Sequence, residues 1–218
     1  MQPYFFNHAF ALLLCLFLTL PLAQAEDLAA LTIIPAGSEQ FDISTGLTTL
    51  PEGGEVIDAK RKLNLNSAYI RYEDNKFIET QDSVVTGKFG TLRAETLRID
   101  LEQNIITASG ELSFENADML VTAQALDLFL DDDVARLQGD VSSLAPAFEA
   151  QVLLLRLNKP GVLLMSPYQV ENGPFTLTQR GDGDLLQLRS KQVGETYIYN
   201  PSTDIEPLLL SVMTPFMP

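Results

Sequence analysis

Apolar and polar residues follow one pattern twice along the middle of the chain. Ala94 to Leu112 reads AETLRIDLEQNIITASGEL, and Ala123 to Val141 reads AQALDLFLDDDVARLQGDV. At an offset of 29 residues Leu97, Ile99 and Leu101 fall on Leu126, Leu128 and Leu130, Ile105 falls on Val134, Gly110 on Gly139, and Leu112 on Val141. A third copy begins at Ala150, at an offset of 27, and sets Leu153, Leu155 and Leu157 on the same positions. A looser copy lies upstream, where Ile70 and Tyr72 meet Ile99 and Leu101. Repetition at such a period implies stacked supersecondary units, each too small to bury its apolar face alone.

Helical spacing competes with strand alternation. Leu97, Leu101, Ile105 and Ala108 would share one face of a helix. That arrangement leaves Ile99, Leu128 and Leu155 off the face, whereas alternation uses all of them. The slot between apolar runs reads Glu102-Gln103-Asn104, then Asp131-Asp132-Asp133, then Asn158-Lys159-Pro160-Gly161. Pro-Gly is incompatible with a helix interior, so the slot is a turn in every copy. The unit is therefore strand, tight turn, strand, with turns predicted at Asp74-Asn75, Gln103-Asn104, Asp132-Asp133 and Pro160-Gly161. The second strand is expected to end near the glycine slot, where glycine marks a bulge or bend. Stacked units of this kind predict an all-β protein, an antiparallel jelly roll or two-sheet sandwich over a continuous apolar interior.

The ends read differently. Ala9 to Leu20 is apolar but for Thr19, and Ala23-Gln24-Ala25 follows, which predicts a signal peptide over residues 1–25 cleaved after Ala25. Residues 26–57, rich in Gly and Pro, read as an irregular lead-in, residues 58–189 as the β domain, and residues 190–218 as a Pro-containing tail. Cleavage would remove Cys15 and His8, the only Cys and the only His, and Trp is absent. Ser-His-Asp and Cys-His catalysis and Cys/His zinc sites would then have no ligands or bases to use. The net charge of −15 makes nucleic acid an unsuitable partner.

The stretch from Tyr72 to Val141, with its Ala-[Asp/Glu/Gln]-x-Leu-x-[Ile/Leu] strands and Gly-[Asp/Glu]-[Val/Leu] ends, resembles the OstA/LptA family of periplasmic lipopolysaccharide-transport proteins. The resemblance covers about Ala68 to Val141 and extends more weakly to Val170. It implies a V-shaped β-jelly roll whose interior holds lipid acyl chains. It also implies a periplasmic location, no catalysis and no cofactor. The expected partners are lipopolysaccharide or another amphipathic lipid, the inner- and outer-membrane transport components, and further copies joined edge to edge. The lipid-groove residues so implied are Leu97, Ile99, Leu101, Leu112, Leu126, Leu128, Leu130, Val141, Leu153, Leu155 and Leu157. An ordinary packed core demands the same apolar face. Two departures stand out: the strong negative charge, and a tail with no counterpart in the family pattern.

Other motifs have plainer readings. Asp131-Asp132-Asp133 lacks the spaced carboxylates of a calcium loop and reads as a solvated turn, so no metal site is expected. Arg180-Gly181-Asp182-Gly183-Asp184 reads as a hairpin turn, and Lys60-Arg61-Lys62 as a solvated strand start. Two further functions fit the pattern: a membrane-anchored component of the same transport line that retains residues 1–25, and a structural or adhesive β-repeat protein with a filled core. N-terminal sequencing of the exported protein should begin at Glu26; a start at Met1 in a membrane fraction would favour the anchored form.

Overall fold

A computed structural model describes residues 31–218 apart from 117–118, 159–160, 182 and 194–195. The expected signal, its cleavage site, Pro160 and Asp182 lie outside the described residues. The long strands follow one another as a meander: β5 (Leu63–Glu73), β6 (Phe77–Gly87), β7 (Gly90–Asp100), β8 (Ile105–Glu115), β9 (Leu120–Phe129), β10 (Val134–Leu144), β11 (Ala147–Arg156) and β12 (Val162–Asn172). Each pairs antiparallel with the next. The turns fall where the repeat frame places them. Asn75, Asn104 and Asp133 adopt φ of +61°, +56° and +53°. Asn and Asp tolerate this left-handed conformation because their short side chains hydrogen-bond locally. In the fourth turn the Gly161 carbonyl accepts the Arg156 N–H at 2.9 Å.

The glycine slot does not end the second strand. β8 and β10 run through Gly110 and Gly139 for several residues more. Between Arg93/Ser113 and Thr96/Ser109, β8 spends four residue steps where β7 spends three. β10 likewise carries one more residue than β9 between Gln138 and Ser142. β12 gains one on β11 between Met165 and Tyr168. The second strand of each of these three units, β8, β10 and β12, thus carries a bulge at mid-length, and bulges bend a strand. The bulges line up across the meander, and the whole sheet folds over along that line.

Paired edges show that the fold produces two sheets. Residues before the bend of β5 pair with β4 (Gly54–Asp58), which pairs with β1 (Leu31–Pro35). Residues after it pair with β3 (Leu47–Leu50), which pairs with β2 (Gln40–Asp42). At the far end one half of β12 pairs with β13 (Phe175–Gln179). Its other half pairs with β14 (Leu185–Val193), which leads to β15 (Thr196–Ser202). We call the β1/β4/β13 side the first sheet and the β2/β3/β14/β15 side the second. A hydrogen bond proves the closure: Arg61 Nε donates to Asn104 Oδ1 at 2.9 Å. Arg61 lies at the tip of the first sheet and Asn104 at the tip of the second, at opposite ends of eleven-residue strands. Straight strands would hold these tips roughly 36 Å apart.

Three boundaries differ from the sequence reading. Within the expected irregular lead-in, residues 31–57 carry β1 to β3 and most of β4, which complete the N-terminal edges of both sheets. The segment after Ser190 holds the end of β14, all of β15, and a helix α1 (Pro207–Met213) continued by a 3-10 turn (Thr214–Phe216). Gly and Pro are tolerated there because short edge strands need few ladder bonds. The Arg180–Asp184 stretch does not close a hairpin, because β13 and β14 each pair with β12 and not with each other; it carries the chain from the first sheet to the second.

One apolar cluster fills the space between the sheets and takes residues from both arms of each strand, such as Leu92 and Ala94 with Leu97 and Ile99 on β7. Burial of a Leu or Ile side chain is worth about 1.5–3 kcal/mol, so this cluster drives the fold. A second, smaller cluster lies on the outer face. Val134, Leu154 and Leu163 are buried there under Leu209 and Met213 of α1, with Phe216 packed alongside. Phe216 meets Phe129 at 4.7 Å between ring centroids, and its carbonyl accepts Arg136 Nη1 at 3.2 Å. The Glu206 N–H donates to Gln187 Oε1 at 2.9 Å, which ties the start of α1 to β14.

Gly110 sits at φ +93°, and a Cβ there would come 2.8 Å from Glu95 Cβ. Gly110→Val should lower stability by about 1–3 kcal/mol, read as a fall in the urea midpoint.

Candidate functional site: the apolar interior

The inward side chains form continuous rows that cross all the strands of the second sheet. Ile99 pairs with Ile106, Ile106 with Leu128, Leu128 with Ala135, and Ala135 with Leu155. The row continues through Val162 to Leu188 on one side, and through Ile78 to Tyr72 on the other. Leu97, Leu126 and Leu153 occupy the next row toward the bend, separated by Ala108 and Leu137. Directly opposite residues in antiparallel strands share a face, so each row is one apolar layer.

All eleven residues expected to line a groove belong to the one cluster between the sheets. Leu97, Ile99, Leu126, Leu128, Leu153 and Leu155 lie on the second sheet; Leu112 and Val141 lie just across the bend, on the first. These eight are at most 5% exposed. Leu101, Leu130 and Leu157 are not strand residues. The strands end before them, and they sit half-buried in the tip turns, packed against the cluster. Their N–H groups donate to Lys76, Asn104 and Asp133 carbonyls, which stacks successive turns. Asn104 Nδ2 donates to Asp131 Oδ2 at 3.0 Å, and Asn158 Nδ2 to Asp133 Oδ2 at 2.7 Å. Two carboxylates of the acidic turn are thus engaged from turn to turn.

The repeat frame missed half of the interior. Val85, Leu92, Phe114, Val121 and Phe148 form the matching layer on the first sheet. Phe89 and Met119, in turns, close its tips and are buried. The layer continues at the C-terminal edge into Leu177, paired with Val170, and into Phe175, paired with Asn172 on the same face. At the N-terminal edge of the second sheet Phe41 pairs with the inward Thr48. Phe41 and Phe175 are 63% and 75% exposed, so an aromatic ring stands uncovered on the inward side at each end of the sandwich.

A polar, charged row crosses the outer face from β5 to β10. Arg71, Glu79 and Arg98 are cross-strand neighbours, and both guanidiniums bond to the Glu79 carboxylate, Arg71 Nε at 3.0 Å. Arg98 also covers the Phe77 ring at 4.1 Å. The same row passes through Thr107 to Asp127, which pairs with Arg136 at 2.6 Å, and then turns apolar at Leu154 under α1. An open cavity of about 430 Å³ lies over Arg71, Arg98, Thr96 and Ser109. Burial pushes the Glu79 carboxyl up, but the hydrogen bonds and charges of Arg71 and Arg98 outweigh burial and hold it below its ordinary range. Among the described residues no group of three or more His, Cys, Asp or Glu is placed to hold a metal ion.

No family model matches the chain. Over 155 residues it is 26% identical to Protein RecA of Bartonella quintana (strain Toulouse) and to Protein RecA of Bartonella henselae. Each match covers 63% of this chain and 43% of the relative. The chain thus spans less than half the length of the curated proteins it matches, and the likeness assigns it to no family.

Glu79→Gln should cost about 0.5–1 kcal/mol at neutral pH, a value kept small because the pair is part-exposed. The carboxyl is lowered in the folded state, so its contribution is complete above the ordinary Glu range and disappears as pH falls through the lowered value. Urea midpoints of wild type and variant should therefore differ at pH 7 and converge in acid.

Proposed function

We propose that the protein is a non-catalytic periplasmic lipid carrier. In this reading lipopolysaccharide or a related outer-membrane lipid passes between the inner and outer membranes with its acyl chains between the two sheets. The observation that carries this reading is the pair of largely apolar inward layers, which run the length of the sandwich and reach an uncovered aromatic ring at each end, Phe41 on the second sheet and Phe175 on the first. An acyl chain needs a long apolar path with open ends, and a self-contained core does not. Edge strands support the partner side. Among the described residues β1 and β2 at one end, and β13 and β15 at the other, each pair on one side only. Such edges offer backbone donors and acceptors to another copy or to membrane components of the transport line.

One observation favours a second reading, a structural β-repeat protein with a filled core: Leu128 and Leu153 are fully buried by the protein's own side chains. A paired measurement separates the two. A photoreactive residue at position 128 should crosslink to lipid during export, and Leu128→Asp should abolish lipid retention with only a modest fall in the urea midpoint. No crosslink, together with a loss of several kcal/mol from an unpaired buried charge, would replace the carrier reading with the structural one.

A further inference from the structure

We propose that the seam between the sheet tips at Arg61 is a phosphate subsite: an amphiphile lies with its chain between the sheets and its phosphate headgroup on the Lys60-Arg61-Lys62 turn. This rests on the lipid-carrier reading and adds where the headgroup sits and what it displaces. The sandwich is joined along the bend but only touches along the opposite side, where the tip turns of the two sheets meet. On that side the first sheet contributes the β4–β5 turn, and the second the β7–β8 and β9–β10 turns. Arg61 spans the gap. Its backbone N–H and Nη1 are held by Asp58 at 2.9 and 2.6 Å, while Nε and Nη2 both reach the single amide oxygen of Asn104. Asp58 is buried, so the guanidinium is anchored to the first sheet and its reach across the seam is preset.

The chemistry of this contact points to an exchange. Two guanidinium donors share one neutral acceptor, although a guanidinium fork matches the paired oxygens of a phosphate. Arg–phosphate pairs add full charge attraction and a bidentate fit that a single amide oxygen lacks, so a phosphate arriving at the seam takes Arg61 from Asn104. Lys60 and Lys62 flank it on the exposed turn. They make this the most basic stretch in a chain of net charge −15. The facing tip is acidic, with Glu102, Asp131 and Asp132. It therefore repels the headgroup and leaves it on the basic lip. Directly behind Lys62 the wall turns apolar at Leu63, which with Phe89 belongs to the interior cluster. Basic lip, then apolar interior, is the order of chemistry along a phosphate-headed amphiphile. Release of Asn104 also removes a hydrogen-bonded bridge between these two tips, which gives the chain lateral access.

Calorimetric titration of the purified protein with dodecyl phosphate and with neutral dodecyl maltoside, both kept below micelle-forming concentrations, tests this. Arg61→Gln should weaken dodecyl phosphate at least fivefold and leave dodecyl maltoside unchanged. Asn104→Ala, which frees Arg61, should tighten dodecyl phosphate severalfold. Unchanged circular dichroism and maltoside binding certify each variant as folded; if Arg61→Gln fails this check, Asn104→Ala decides alone. Equal effects on both amphiphiles, or none, would overturn the phosphate subsite and leave the carrier reading intact. Failure of wild type to bind either amphiphile would sink the carrier reading itself.

Discussion

The whole architecture depends on the one-residue mismatch between neighbouring strands at mid-length. Side chains of a strand alternate with a period of two, so a flat sheet would put the two ends of an eleven-residue strand far apart, with one face exposed to water along its full length. On β7 the inward residues are Leu92 and Ala94 before the bend and Leu97 and Ile99 after it, with Glu95 and Thr96 both exposed between them. The extra residue opposite, at Gly110, lets the backbone turn so that both inward pairs face the same cluster. Without the bulge there would be one sheet and no interior.

That single device accounts for the repeat. A unit of 27 to 29 residues consists of two bent strands and two turns, and each unit adds a layer to both sheets. The length of the interior then grows with the number of units, while its cross-section stays fixed by strand length. At the two ends the sheets acquire separate edge strands, β1 and β2, then β13 and β15. The ends therefore stay apart, and Phe41 and Phe175 remain uncovered.

Charge follows the same division. Across the outer face from β5 to β10 runs a cross-strand ladder in which Arg71, Glu79, Arg98, Asp127 and Arg136 neutralise one another. Such exposed pairs contribute little stability each. They keep the outer face solvated and unlike the interior, so the sheet can curl in one direction only. Where the outer face becomes apolar, at Leu154 and Leu163, the tail covers it. The α1 helix has no side-chain cap and no charge bias at its ends, so it persists through Leu209 and Met213 rather than by its own propensity.

Strand identity, the turn positions and the inward face of each second-sheet strand are local properties, written in alternation and in the Asn, Asp and Pro-Gly slots. Those were legible because a period of two and a left-handed turn residue need no distant partner. Eight of the groove candidates sit inward on strands, while Leu101, Leu130 and Leu157 fall beyond the strand ends because alternation carries no stop signal. The first-sheet layer of Leu92, Val121 and Phe148 was not legible, since alternation slips by one at mid-strand on β7, β9 and β11 and only paired strands reveal the slip. The four apolar residues Val152, Leu153, Leu154 and Leu155 in succession are a signal, not used in the repeat frame, that β11 is covered on both faces. Which segment covers it, the Leu208-Leu209-Leu210 helix some fifty residues on, depends on long-range packing that leaves no local trace. The contact of Arg61 with Asn104 is of the same kind: two polar residues 43 positions apart meet only because every strand between them bends.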